Sequence, residues 1–219
     1  MTKHVAKNYV KYKKEQRVKF LAELIKKLLK QSKKSPITYQ NMEELWLNCL
    51  EKERKEAFKE MGEDLEKYIE EIQIKDLGGK IKKFKKTNLV IGKGGSSNLF
   101  LGVELSESGN QIKFLAIKYF NVEFIDRGLN EGFFLSEKHN KKITNLICHG
   151  YLINKNPSYK INEEQYIQVI EFIDGFDLEY YIKKESFLTE SKAKEIFYKI
   201  VKILNNLDIS HRDLKPSNM

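Results

Sequence analysis

The decisive stretch lies near the end of the sequence: His211-Arg212-Asp213-Leu214-Lys215-Pro216-Ser217-Asn218. It sets a carboxylate, then an ammonium, then a carboxamide at fixed spacing on one short segment. The segment follows an apolar helix. Thr189 can cap that helix, on which Ala193, Ile196, Phe197, Ile200, Val201 and Leu204 recur at helical steps. Acid, base and amide groups held in a loop after a helix form a constellation able to do chemistry, and three further stretches upstream stand in a definite order before it.

From Lys83 onward the pattern is that of short strands. Leu89-Val90-Ile91, Leu99-Phe100-Leu101 and Phe114-Leu115-Ala116-Ile117 are strand-like runs broken by Gly and Asn, with Ser108-Gly109-Asn110 as a turn signal. Glu131 to Lys138 is expected to be a helix, and Ile147 to Ile153 and Tyr166 to Glu171 two more strands. Within this order lie Ile91-Gly92-Lys93-Gly94-Gly95-Ser96-Ser97-Asn98-Leu99, then Leu115-Ala116-Ile117-Lys118, then Val169-Ile170-Glu171-Phe172-Ile173-Asp174-Gly175-Phe176-Asp177-Leu178. Glycines let backbone N–H groups approach a phosphate without a Cβ in the way.

Taken together, these four stretches resemble the motifs of eukaryotic-type serine/threonine protein kinases, in the family's order and over residues 83 to 219. The last string resembles the catalytic loop. The resemblance implies Asp213 as the acceptor of the substrate hydroxyl's proton, Lys215 beside the transferring phosphate, and Asn218 on a Mg²⁺ ion. Lys215 follows the serine/threonine pattern. The glycine-rich stretch resembles the loop over the ATP phosphates, with Ile91, Gly92, Gly94, Gly95, Ser97 and Leu99 as cofactor-binding positions. It departs from the family at Ser97, where the third glycine belongs, and at Leu99, where valine is usual.

Lys118 resembles the lysine of the third kinase strand, which bridges the ATP phosphates and a helix glutamate, and Ala116 shares its string. Glu131 is the chosen partner, because Leu135 follows four residues later; Glu123 and Glu137 stay open. The stretch around Glu171 resembles the hinge between kinase lobes. By position Ile170 is the gatekeeper, the backbones of Glu171 and Ile173 face adenine, and Asp177 reaches the ribose. The string ends at Met219, before the Asp-Phe-Gly that the family supplies next. The expectation is a fragment with little or no phosphotransferase activity from an active serine/threonine kinase. A pseudokinase or ATP-binding scaffold is the alternative.

Composition agrees with a globular chain. Of 219 residues, 41% are apolar and 32% charged, enough for one domain with an extra segment or two small ones. Cys49 and Cys148 have no metal-ligand spacing, so a reducing, cytoplasmic compartment is expected, with host-directed secretion left open. No apolar run approaches the roughly 20 residues of a membrane span. The start, Met1 to Lys14, is basic but lacks the apolar core of a secretory signal.

The net charge of +9 is uneven: residues 1–35 hold 12 Lys/Arg against 2 Glu, and residues 36–80 hold 7 Lys/Arg against 12 Asp/Glu. Val18, Leu21, Leu24, Ile25, Leu28 and Leu29 draw one helical stripe. A second helix, capped by Asn41 with Glu44, carries Leu45, Trp46, Leu50, Ala57, Phe58, Met61, Leu65, Tyr68, Ile69 and Ile72. Gly78-Gly79 marks a linker.

A basic helix and an acidic one predict an antiparallel helical hairpin that packs on the kinase lobe or mediates self-association. Nucleic acid or an anionic membrane surface is a minor possibility. The expected fold is α+β: an all-α extension over 1–80, then over 81–219 a partial kinase domain. That domain comprises a small lobe with a five-stranded antiparallel sheet and one helix, the hinge, and the first helices of the lower lobe. ATP, Mg²⁺ and a protein substrate are the implied ligands.

Overall fold

In the computed structural model the described residues are 14–32, 51–61, 63–105, 112–137, 144–153, 165–173, 175, 177–185, 188–205 and 214–216. The chain forms two compact units, residues 1–139 with 144–172, and residues 140–143 with 173–219. The first begins with α1 (Lys14–Ser32), α2 (Glu51–Met61) and the short α3 (Glu63–Glu66). Strands β1 (Ile69–Asp76), β2 (Ile81–Lys93), β3 (Ser97–Leu105) and β4 (Ile112–Phe120) follow. A 3-10 turn (Val122–Phe124) leads into α4 (Ile125–Glu137), and β5 (Leu146–Leu152) and β6 (Tyr166–Glu171) complete the unit. The second unit holds α5 (Leu178–Glu185) and α6 (Glu190–Leu204), where Thr189 Oγ1 accepts from the Lys192 N–H at 3.3 Å as the expected cap.

The strands close into an antiparallel barrel in the order β1-β2-β3-β4-β6-β5. Five of them are the expected small-lobe strands; β1 is a sixth and corrects the sequence expectation. Tyr68, Ile69 and Ile72 fit a helical stripe, yet the helical segment ends at Glu66, and β1 pairs with both β2 and β5. The physical reason is alternation. Ile72 and Ile74 are buried while Glu71 and Lys75 face water, and β-branched residues suit a pleated, half-buried surface. The lysine-rich β2 supplies opposite charge, with Lys86 Nζ 3.2 Å from Glu70 and Lys83 Nζ 3.4 Å from Glu71. Gly78-Gly79 is the turn between β1 and β2, not a linker, with the Gly79 N–H donated to Asp76 O at 2.9 Å. Gly150 permits the closure, since a Cβ there would collide with Lys75 O.

Two cores follow from the alternation. Ile72, Ile74, Leu115, Ile117, Cys148, Ile167 and Val169 point into the barrel. On the outside, Leu89, Leu101, Val103, Ile112 and Phe114 join the stripes of the N-terminal helices, Leu21, Ala22, Ile25, Leu28 and Leu29 from α1 with Ala57, Phe58, Met61 and Leu65. Phe58 meets Phe114 edge-on at 5.3 Å, an arrangement aromatic rings favour. The helices thus share a core with the sheet.

Ion pairs link α1 to the helices that follow it. Arg17 pairs with Glu53 at 3.0 Å, and Lys26 with Asp64 at 3.3 Å. Glu53 belongs to α2 and Asp64 to α3. Residues 33 to 50 join α1 to α2 in the sequence. Those residues, with the Asn41 cap and Leu45, Trp46 and Leu50, lie outside the described ones, as does the Ser108-Gly109-Asn110 turn.

Candidate active site

Strand register gathers the candidate residues on one outer face of the barrel. Gly92, Leu99, Lys118, Gln168 and His149 stand opposite one another in sequence across β2, β3, β4, β6 and β5. Directly opposed residues in an antiparallel sheet point to the same side. Leu101, Ala116, Ile170 and Leu146 form a parallel row on that face two residues away. Ala116 is buried, and Leu99 and Ile170 are half-buried.

Helix α4 lies over the first row and delivers Glu131 to Lys118. The Lys118 ammonium donates to both carboxylate oxygens of Glu131, at 2.6 and 2.8 Å. A charge-assisted pair with both oxygens engaged fixes direction as well as distance. Lys118 Nζ also lies 4.7 Å from the centre of the Phe120 ring. Of the three candidate glutamates, Glu131 is the one the structure joins to Lys118. Glu123 lies exposed in the 3-10 turn and Glu137 exposed at the last position of α4.

The approach of α4 depends on residues that pattern reading did not single out. A Cβ at Gly128 would come within 2.9 Å of Phe120 and Tyr166, and one at Gly132 would collide with His149 and Tyr166. Gln168 Nε2 donates to Gly128 O at 2.8 Å in a buried position. His149 Nδ1 and Tyr166 Oη share a hydrogen bond of 2.7 Å beneath the same helix. Burial pushes the Tyr166 hydroxyl up to about 12 and pulls the His149 imidazole below its ordinary value. One signal was readable: glycines at i and i+4 fall on one face of a helix.

The glycine-rich stretch forms the turn from β2 to β3. Gly94 N–H donates to Ser97 O at 2.9 Å, and the buried Ser97 keeps the turn tight where the family has glycine. Gly94 and Gly95 are exposed, and a Cβ on Gly95 would meet nothing within 4 Å. The fold's own packing therefore does not demand glycine there. Ile91 and Phe172 each pack against the core shared with the N-terminal helices, and Phe172 meets Phe114 edge-on at 5.8 Å.

At the end of β6 the Glu171 N–H is committed to Asn145 O at 3.0 Å, and its carboxylate accepts from Asn145 N–H at 3.0 Å. A backbone contact from Glu171 to a ligand thus falls to its carbonyl. In the second unit Ile173 is exposed, and Asp177 Oδ1 accepts from the Tyr180 N–H at 2.7 Å, capping α5. Lys215 is exposed, while Asp213 and Asn218 lie outside the described residues. Among the described residues, no group of three or more His, Cys, Asp or Glu side chains could hold a metal ion, and no helix is long and apolar enough to cross a membrane.

Known proteins match the same region. The protein kinase domain model matches residues 85–219. A serine/threonine-protein kinase tousled-like 2 of Xenopus tropicalis is 26% identical over 137 residues, 59% of this chain and 19% of its own length. A probable serine/threonine-protein kinase PknB of Lactococcus lactis is 31% identical over 138 residues, 59% of this chain and 20% of its own length. The chain thus spans about a fifth of the length of these curated relatives. A crystal structure of Rad53 1–466 in complex with AMP-PNP is 25% identical and covers 62% of this chain and 33% of that one, with a TM-score of 0.46. With a family match over more than half of its residues, this chain belongs to the protein kinase family, of the eukaryotic serine/threonine type.

Proposed function

We propose that the chain carries the ATP-binding lobe and catalytic loop of a kinase that transfers the γ-phosphate of ATP to a protein serine or threonine hydroxyl. The observation that carries this reading is the pair between Lys118 and both oxygens of Glu131. It holds an ammonium on the face that also bears Leu99, Ala116 and Ile170, the apolar surface a nucleotide base needs. The exposed Gly94-Gly95 turn fits the same reading, because a phosphate approaching the backbone explains glycines that the fold does not require.

In the reaction, the substrate oxygen bonds to the γ-phosphorus as the bond to the β-bridging oxygen breaks, and ADP leaves with that electron pair. Asp213 accepts the hydroxyl proton, and Lys215 and Lys118 neutralise charge on the phosphates. Asn218 and the phosphates would hold Mg²⁺, which supplies further charge neutralisation when bound. Ile170, the Glu171 carbonyl, Ile173 and Asp177 would seat the nucleoside.

Calorimetric titration of residues 1–219 with ATP tests the reading. Lys118→Met is expected to weaken binding about tenfold or more, the scale of a lost charge-assisted contact. Equal affinity in the two proteins would contradict it. Residues 1–219 alone are expected to transfer little or no phosphate, and Lys118-dependent phosphorylation by the purified chain would overturn that expectation.

A further inference from the structure

We propose that Asn121 is a positioning residue that holds the glycine-rich turn in its phosphate-accepting form, an inference that rests on the nucleotide reading above. Asn121 follows β4 and precedes the 3-10 turn, three residues after Lys118. Its backbone N–H donates to Ser96 O at 2.9 Å, and its side-chain Nδ2 donates to Gly95 O at 2.9 Å. One residue thus ties two successive carbonyls at the tip of the turn.

The side chain's direction is informative. Asn121 stands at the N-cap of the 3-10 turn with extended backbone, φ −65 and ψ 147, the position where an Asn side chain commonly accepts from the N–H groups that follow. It makes no such cap bond and reaches across to Gly95 instead. The amide orientation is fixed by chemistry, since a carbonyl only accepts and the nitrogen must face it.

The consequence lies in the peptide planes. Among the described residues no peptide is cis, and a trans peptide points its C=O and its N–H in opposite directions. Drawing the carbonyls of Gly95 and Ser96 toward Asn121 turns the N–H groups of Ser96 and Ser97 the other way. Adjacent backbone donors facing one side make a concavity suited to an anion. Glycine lets this turn adopt many shapes, and Asn121 selects one, so less ordering remains for the nucleotide to do. The same residue adjoins the strand of Lys118 and the segment leading to Glu131, so turn and ion pair are held from one point.

The test uses residues 1–219 as wild type and as Asn121→Ala, Asn121→Leu and Asn121→Gln. Ala and Leu remove the donor and keep the backbone N–H; Gln retains the donor on a longer arm. Hydrogen–deuterium exchange without nucleotide is expected to quicken about three- to tenfold over residues 92–98 in Ala and Leu, the worth of one hydrogen bond. ATP affinity is expected to fall by a similar factor, with partial recovery in Gln and an unchanged thermal midpoint. Unchanged exchange would overturn the clamp. Quickened exchange with unchanged ATP affinity would overturn its role toward the nucleotide. Failure of the wild type to bind ATP would refute the nucleotide reading and this role together, while exchange still decides whether the clamp exists.

Discussion

His149 illustrates how one side chain can make the site sensitive to pH. Its ring is half-buried, shares a 2.7 Å hydrogen bond with Tyr166 Oη, and lies beneath Gly132 of α4. Burial lowers its pKa from the ordinary 6.5; Asp76 opposes that shift and Lys82 adds to it. With the folded value below the unfolded one, the unfolded chain binds the proton more readily. Stability from neutral His149 is present above pH 6.5 and lost as pH falls through the folded pKa. Urea unfolding between pH 7 and 5 should show this loss, and His149→Gln should flatten that part of the profile. An equal slope in both proteins would assign the acid sensitivity elsewhere.

At the scale of elements, α4 matters most because it sets where Glu131 sits. Its seam of Gly128 and Gly132 brings the helix backbone against Phe120, Tyr166 and His149, closer than any side chain permits. Gly132→Ala is expected to destabilise the protein by about 1–3 kcal/mol, the usual scale of overpacking. It should also weaken ATP binding by moving Glu131 from Lys118. Adding Tyr166→Phe, which removes one of the two atoms a new methyl would strike, should restore part of both losses. A Gly132→Ala protein with wild-type stability and affinity would show that the seam does not set the ion pair. The catalytic-type strings and their order were legible in the sequence because each rests on residues a few positions apart. Tyr166–Glu171 and the Thr189 cap were legible for the same reason. The glycine pair on one face of α4 was legible too, but what it packs against was not, since that depends on the side chains across from it.

Over the whole molecule, the sequence was least informative where long-range partners decide. Residues 69–76 carry apolar positions compatible with a helix, and their strand state depends on pairing with both β2 and a β5 more than 70 residues later. The surface that the stripes of α1 and α2 cover is likewise set by the sheet, far along the chain. Their stripes are spent on the outer face of the barrel, with Leu101, Val103, Ile112 and Phe114, and that core reaches Ile91 and Phe172 beside the proposed nucleotide face. The N-terminal helices therefore brace this lobe.

We propose that this chain is part of a serine/threonine kinase whose chemistry passes through Lys118 and Asp213. The most direct measurement is transfer of labelled γ-phosphate from ATP to a serine- or threonine-containing protein by the native gene product. Parallel assays would use Lys118→Met and Asp213→Asn. Transfer by the wild type is expected, with its loss by at least a hundredfold, about 2.7 kcal/mol, in each variant. Transfer that survives both substitutions, or ATP binding with no transfer by the native product, would contradict it.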